Sequence, residues 1–421
     1  MIKRTVILAI GCTIALIGGS FVYDYFDEEI VVEDDRLVEI TGSSIVGYDN
    51  GKLNWKVTVD NAWAKKNRSF YYADKILSGV IYDSDGAVLI DSIEASDVKI
   101  NTKINSITIQ QSAKARFMPQ KKQTETGLIA NEPETKDPII IKSDELRYYS
   151  NSEKVVLQKG VELIKDSHVI KPKVGAEIDN NDKVAYIKDG FHIESEEFFV
   201  SGNNMTIFID DKVSNMWGDL MFERFASSNI DEDLDEQEKN LRKQKSILFA
   251  NKATYIESDE GNELYATGNI HLIQSDKNII AEFAYYNEAL NLIQLEGNIT
   301  IELLNLDWAL DETLKKKLSN QDIKNSLNQK TKITSNSLQF DGQAKETTLV
   351  GDIKITQSDK VILCNKLIMY DETSLVECLG DVSVVKEDRD TIKTDYLEID
   401  LNNETFTAKN RVFSEYYLDE N

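Results

Sequence analysis

The chain has 421 residues, 41% of them hydrophobic and only four of them proline, enough for one long continuous core or several compact ones. Its formal net charge of −25 argues against a nucleic-acid partner, because an acidic surface repels a phosphate backbone. The acidity reads as a solvated outer face.

Lys3 and Arg4 precede an uncharged run from Thr5 to Tyr23, and Asp24, Asp27, Glu28 and Glu29 follow. As a helix this run spans roughly 28 Å, close to the hydrocarbon thickness of a bilayer. The basic end, residues 1–4, is expected to stay in the cytoplasm while the rest of the chain crosses. A cleaved signal peptide has a shorter apolar core and a small-x-small exit, whereas this run ends in aromatics. A lipoprotein would carry lipid on Cys12, but the apolar stretch continues well past it. The expectation is therefore one uncleaved transmembrane helix over 5–23. Gly11, Ala15 and Gly19 fall at four-residue spacing, a face on which another membrane helix can pack closely.

A linker is read over 24–50, and beyond it nearly everything alternates with period two and is rich in Val, Ile and Tyr. In "LIQLEGNITIEL", Ile293, Leu295, Ile299, Ile301 and Leu303 fall on one side and Gln294, Glu296, Asn298, Thr300 and Glu302 on the other. Such strands have one dry and one wet face. The β segments cover 51–118, 139–225, 247–304 and 331–421. Three insertions separate them. Residues 119–138 hold three of the four prolines and read as a loop, and 226–246 form a polar, acidic-then-basic excursion. Residues 305–330 space Leu306, Leu310, Leu314 and Leu318 as a short amphipathic helix does.

The β segments repeat. "GNIHLIQSDK" is answered by "GDIKITQSDK", with Gly268 and Gly297 around the first copy matched by Gly351 and Gly380 around the second. The unit is an apolar residue, a small residue two on, then apolar residues three and five after the small one. Ile93/Ala95/Val98/Ile100, Ile141/Ser143/Leu146/Tyr148, Val200/Gly202/Met205/Ile207 and Leu248/Ala250/Ala253/Tyr255 follow it. So do Ile279/Ala281/Ala284/Tyr286, Ile333/Ser335/Leu338/Phe340, Ile362/Cys364/Leu367/Met369 and Ile392/Thr394/Leu397/Ile399. After most small positions a glycine leads into a new alternating run, giving a period of about 30 residues, as in solenoids and repetitive β-architectures.

Motifs for chemistry are missing. His168, His192 and His271 lie in separate repeats without partners at zinc-ligand spacing. Asp231, Asp233 and Asp235 lack the glycine and closing glutamate of a calcium loop. No phosphate loop or nucleophile elbow appears, so neither enzymatic activity nor a cofactor or metal is expected. Cys364 and Cys378 flank the turn at 371–374 at unequal offsets, which does not set them directly opposite; a reduced structural pair is the expectation. Stacked units with one apolar face each build a lengthwise apolar strip. If two sheets close on it, it is core; if they splay, it shelters acyl chains, which gain about 0.8 kcal/mol per buried methylene. Periodicity leaves the two open.

The N-terminal anchor followed by "GKLNWKVTVDNAWA", "LSGVIYDSDGAVLIDSIEASDVKI" and "NSITIQQSAKARF" resembles the LptC family, the bitopic component of the lipopolysaccharide export bridge. Trp55, Val57, Ala62, the turn Tyr82-Asp83-x-Asp85-Gly86, and Ala95 carry the likeness. From Ile139 on, the small-D/N-x-apolar-x-aromatic unit and the G-[ND]-apolar strand resemble LptA and its OstA-like relatives. The chain is longer than an LptC and adds repeats and insertions. The resemblance implies an all-β fold, an elongated twisted β-jellyroll open along one side, behind one N-terminal transmembrane helix. It implies a periplasmic ectodomain on an inner-membrane anchor, with lipopolysaccharide acyl chains in the trough. The partners it implies are the permeases of an ABC transporter and further β-jellyrolls stacked edge to edge. The lining residues expected are Ile141, Leu146, Tyr148, Leu163, Met205, Ile207, Tyr255, Ile270, Leu272, Ile301, Phe340, Ile353 and Ile355. The competing reading is a closed β-solenoid scaffold or adhesin stalk without lipid.

Overall fold

The structure is a computed structural model that describes residues 36–49, 51–65, 69–118, 138–165, 167–226, 243–304, 328–370, 372–386 and 390–416. The expected membrane span with its Gly11, Ala15 and Gly19 face lies outside the described residues, as does most of each insertion. Among the described residues no helix is long and apolar enough to cross a membrane.

The described residues form 27 strands joined in one antiparallel network. β1 (Arg36–Asp49), β2 (Lys52–Lys65), β3 (Phe70–Tyr82), β4 (Val88–Asn101) and β5 (Ser106–Phe117) form a meander. β1 begins inside the stretch read as a linker: Val38 and Ile40 stand opposite Ala64 and Ala62, so its inner face continues that of β2. Trp55, Val57 and Ala62, which carried the family resemblance, are buried core residues, and Asp83 caps the β3–β4 turn by accepting from the backbone N–H of Asp85 and Ala87.

Beyond β5 the network divides into two tracks. β6 (Ile139–Ser143) pairs with the second half of β5 and β7 (Glu145–Tyr149) with its first half. One track continues through β9 (Glu162–Lys165), β10 (His168–Pro172), β13 (Phe191–Glu194) and β14 (Phe198–Gly202). The other runs through β8 (Lys154–Gln158), β11 (Gly175–Asp179), β12 (Val184–Ile187) and β15 (Asn204–Phe208). β16 (Val213–Arg224) pairs with both β14 and β15 and reunites them. From there β17 (Ser246–Ile256), β18 (Glu263–Ile273), β19 (Lys277–Asn287), β20 (Leu292–Leu303) and β21 (Thr331–Asp341) pair in sequence. β22 (Glu346–Thr356), β23 (Lys360–Tyr370), β24 (Leu375–Lys386) and β25 (Asp390–Asp400) continue the order. β26 (Thr405–Lys409) and β27 (Phe413–Glu415) sit side by side on β25. At about 4.8 Å between strands, the stack extends on the order of 100 Å.

The repeated glycines mark corners inside strands, where the sequence alone suggested the start of a new run. Each pairing from β16 to β25 shifts register at mid-strand, as between Glu296 and Ile299 or Val350 and Ile353. There the pair Gly-Asn or Gly-Asp takes two successive left-handed conformations, for example Gly351 at φ 85 and Asp352 at φ 46. Such a bulge bends the strand, so each long strand contributes half its length to a front leaf (containing β6 and β9) and half to a back leaf (containing β7 and β8). A Cβ on Gly351 would come within 2.5 Å of the Asn336 amide on the neighbouring strand, which is why the Asn of one corner faces the Gly of the next.

The small position of the unit has a packing reason. At the corner, small residues on one strand alternate with branched ones on the next: Ala250 opposite Leu220, Ala281 opposite Ile270, Ser335 opposite Ile299, Cys364 opposite Ile353 and Thr394 opposite Val382. All ten are buried at the bend between the two leaves. The Thr394 hydroxyl donates to the carbonyl oxygen of Lys409 at 2.6 Å, satisfying a buried polar group at the bend.

Candidate functional site: an apolar trough between two leaves

Residues directly opposite on adjacent antiparallel strands share a face, so the register traces each inward row from strand to strand. In the front leaf one row passes from Ala115 to Ile141, Leu163, Ile170, Ile193 and Val200. It goes on through Phe222, Leu248, Leu272 and Ile279. It ends with Ile301, Ile333, Ile355, Ile362, Val384 and Ile392. The back leaf mirrors it from Ile107 through Tyr148, Val155, Ile178, Ala185 and Ile207. That row continues over Ser214, Tyr255, Leu264, Tyr286 and Ile293 to Phe340, Thr347, Met369, Val376 and Ile399. The apolar sides of successive units therefore lie in register from β5 to β25, interrupted in the back row by Ser214 and Thr347.

The two leaves meet to different degrees along their length. Over the first strands the mouth is stitched by bonds from front lip to back lip. Trp55 Nε1 donates to Asn105 Oδ1 at 2.8 Å, and the Ser84 N–H donates to Glu153 Oε1 at 2.8 Å. The Tyr148 hydroxyl donates to Asn54 Oδ1 at 3.4 Å, and on the back lip itself Asn180 Nδ2 steadies Glu153 by donating to its Oε2 at 2.6 Å. Burial pushes the Tyr148 phenol well above its ordinary pKa. Further along, Lys165 of the front lip and Glu257 of the back lip form an ion pair at 2.8 Å across the mouth.

Beyond these bonds the trough opens. The back row is buried from Ile107 to Ala185, and from Ile207 on none of its members is; Tyr286 is 38% exposed and Ile293 37%. Burial raises the pKa of Tyr255, so its phenol is partly withdrawn from water. The question left open by periodicity has a divided answer: closed core at the corner and over the first strands, and from β15 to β25 a back row with no buried member.

The expected lining residues fall into three places. Ile141, Leu146, Tyr148 and Leu163 are buried in the stitched part. Met205, Ile270 and Ile353 are buried at or beside the corner, and Ile301, in the front row, is buried too. Ile207, Tyr255, Leu272, Phe340 and Ile355 are partly exposed and face the open trough. Sequence reasoning missed Phe222, Leu248, Ile279, Ile333 and Ile362 of the front row and Leu264, Tyr286, Ile293 and Met369 of the back row. The signal was present: the first and last positions of the unit line the trough, and the two middle positions build the corner.

Among the described residues no group of three or more His, Cys, Asp or Glu side chains is arranged to hold a metal. His271 Nε2 lies 2.5 Å from Asn278 Oδ1, while the rings of His168 and His192 pack beside Phe198 and Phe199. Cys364 and Cys378 are free, buried thiols, and Cys378 stands opposite Leu367. A thiol–thiol hydrogen bond together with burial holds Cys378 far above the usual thiol pKa.

The β5–β6, β16–β17 and β20–β21 connections, which contain the three insertions, all leave from the front lip. The back lip between β16 and β25 has short turns throughout. The repeated Q-S-D-K words are the front-lip turns β18–β19 and β22–β23. In each, the Gln side chain holds the strand that re-enters after an insertion: Gln274 Nε2 donates to Ser246 Oγ at 2.7 Å and Gln357 Nε2 to Thr331 Oγ1 at 3.0 Å.

No protein-family model matches the chain, and no curated protein sequence matches it. Among solved structures, it is similar to the crystal structure of LptH from Pseudomonas aeruginosa, described as the LptA homologous periplasmic component of the conserved lipopolysaccharide transport device. The identity is 14%, over 30% of this chain and 79% of that chain, with a TM-score of 0.24. A likeness at that level fixes neither the fold nor the function of this chain.

Proposed function

We propose that the chain carries lipid acyl chains along its trough, as a membrane-anchored periplasmic component of lipopolysaccharide export. The observation that carries this reading is the pair of inward rows, mostly apolar and continuous in register, whose back row has no buried member from β15 to β25. A buried methylene gains about 0.8 kcal/mol, so a dodecyl chain laid in the groove gains enough to be held and, by shifting along equivalent rungs, to be passed on. Residues 5–23 anchor the chain in the inner membrane with the N-terminus in the cytoplasm. The Gly11, Ala15 and Gly19 face packs against permease helices of an ABC transporter, whose ATPase supplies the energy. No covalent chemistry is performed and no cofactor is needed. β1 at one end of the stack and β26 with β27 at the other offer edges for further β-jellyrolls by strand addition.

The test is photo-crosslinking in cells with the reactive residue at Leu272 or Ile355 in the open trough, and at Ile270 or Ile353 in the sealed corner. Capture of lipid from the first pair and not the second is expected; no capture from either trough position overturns the assignment. The stitched first strands favour a second reading, a structural stalk with a dry interior. Native mass spectrometry of the full chain separates the two: co-purifying lipid supports the carrier, and bare protein supports the stalk.

A further inference from the structure

The apolar rows end, at the front lip, in a row of different character. The pairings Arg224–Ser246, Lys277–Leu303, Leu303–Thr331, Lys360–Lys386 and Lys386–Asp390 lie two residues beyond the front row and so on the same inward face. Over the open half this row directs Arg224, Lys277, Lys360 and Lys386 toward the trough. Asp390 is its single acid among the described residues, in a chain of net charge −25. The equivalent row of the back lip mixes the two signs: two residues beyond Ser214, Tyr255, Tyr286 and Thr347 stand Lys212, Glu257, Glu288 and Lys345.

Two of the four front-lip cations are the lysines of the repeated Q-S-D-K words. Both turns close in the same way, the Gln274 N–H donating to the Lys277 carbonyl oxygen at 2.8 Å and that of Gln357 to Lys360 at 2.9 Å. Each copy of the word thus pins a re-entering strand and delivers one lysine to the inner lip. Lys386 stands directly opposite Lys360 on one neighbouring strand and Asp390 on the other, so two cations and the row's single acid occupy adjacent rungs. Burial lowers the pKa of Lys277, marking an ammonium held partly out of water at the edge of the apolar rows.

The geometry points to an anion-holding rail along the front lip. Arg224, Lys277, Lys360 and Lys386 bind the phosphate or carboxylate groups of an amphiphile whose chains occupy the trough, so the head is fixed at the front lip and not the back. This rests on the trough reading above and adds the chemistry and orientation of the head.

The experiment displaces a fluorescent acyl probe from the full chain with dodecyl phosphate, with laurate and with a neutral dodecyl ether of equal chain length. At low salt the two anionic amphiphiles are expected to displace the probe at about tenfold lower concentration than the neutral one, and about 0.5 M salt is expected to shrink that preference. The triple variant Lys277→Gln, Lys360→Gln, Lys386→Gln loses the preference and keeps the affinity for the neutral ether, whereas Lys212→Gln on the back lip keeps both. Circular dichroism and a melting curve check that the variants fold, and the single variants, each losing part of the preference, serve if the triple does not. Equal displacement by anionic and neutral amphiphiles in the unmodified chain, or a preference that survives in the triple variant, overturns the rail and leaves the trough standing. A chain that binds no acyl probe overturns the trough itself. Inorganic phosphate is expected to leave the anionic preference intact at millimolar concentration; if it abolishes the preference, the row is a free-anion site and the headgroup assignment is wrong.

Discussion

Two isoleucines two residues apart on β22 separate the corner from the trough. Ile353 is 1% exposed, and the flanking strands carry Ser335 and Cys364 at the same corner. Truncation to alanine removes three carbons from a place where the hydrogen-bonded ladders on both sides prevent collapse. Isoleucine-to-alanine changes cost about 2–5 kcal/mol, with the larger values where the cavity persists, so about 4 kcal/mol is expected for Ile353→Ala. Ile355 lies one step toward the mouth and is already partly exposed, so Ile355→Ala forfeits only part of its transfer energy, about 1 kcal/mol. The assay is native-state hydrogen exchange of the β22 and β23 amides, because a repeat stack opens locally and has no single two-state unfolding energy. The expected difference is about 3 kcal/mol in local opening free energy. If the two variants differ by less than about 1 kcal/mol, or in the opposite order, the division into sealed corner and open trough is wrong.

Gly351→Ala places a side chain at φ 85 and 2.5 Å from Asn336, so β21 and β22 should lose about 1–2 kcal/mol of local stability by the same exchange measurement. Adding Asn336→Ala should relieve the crowding and leave the backbone strain. Thr394→Val leaves the Lys409 carbonyl without its 2.6 Å donor; a loss of about 1–3 kcal/mol is expected, seen as faster exchange in β26. Lys277→Met should stabilise β19 at neutral pH. The folded-state pKa of Lys277 lies below its ordinary 10.5, so the unfolded chain binds more protons between the two values and stability rises with pH through that window. The advantage of Lys277→Met should therefore shrink as pH approaches 10.5, and a constant or growing advantage in the local opening free energy of β19 measured over a pH series would refute the burial argument. Because Cys364 and Cys378 are both buried, a Cys12→Ser chain should take up no thiol reagent until denaturant is added.

Strand content and inward face were legible in the sequence because period-two alternation reports directly on which side of a sheet is dry. β20 shows this best: the residues expected on one side, from Leu295 to Leu303, are the buried ones. The same string hid the bend. Gly297 read as the start of a new run and Asn298 as a wet-face strand residue, and the two together preserve parity, so the alternation passes through the corner without a visible break. The site was half legible for a related reason. Ile270 and Leu272 are equally apolar, yet only their distance from the corner decides which is sealed and which is open, and hydropathy carries no information on distance. Lys277 and Lys360 were visible as part of a repeated word, but their inward direction depends on pairings with Leu303 and Lys386 that only the folded register supplies.

The pairing of every strand with its immediate successor from β16 to β25 has a consequence for how such a chain can grow. An out-and-back pair of about 30 residues begins and ends at the same rim, so splicing in one more pair lengthens the molecule by roughly 10 Å and leaves every other side chain facing as before. A single extra strand would strand the exit at the opposite rim and force a rebuilt connection. Reach can therefore be tuned in whole steps by duplication, with new material joining a duct that already continues on both sides.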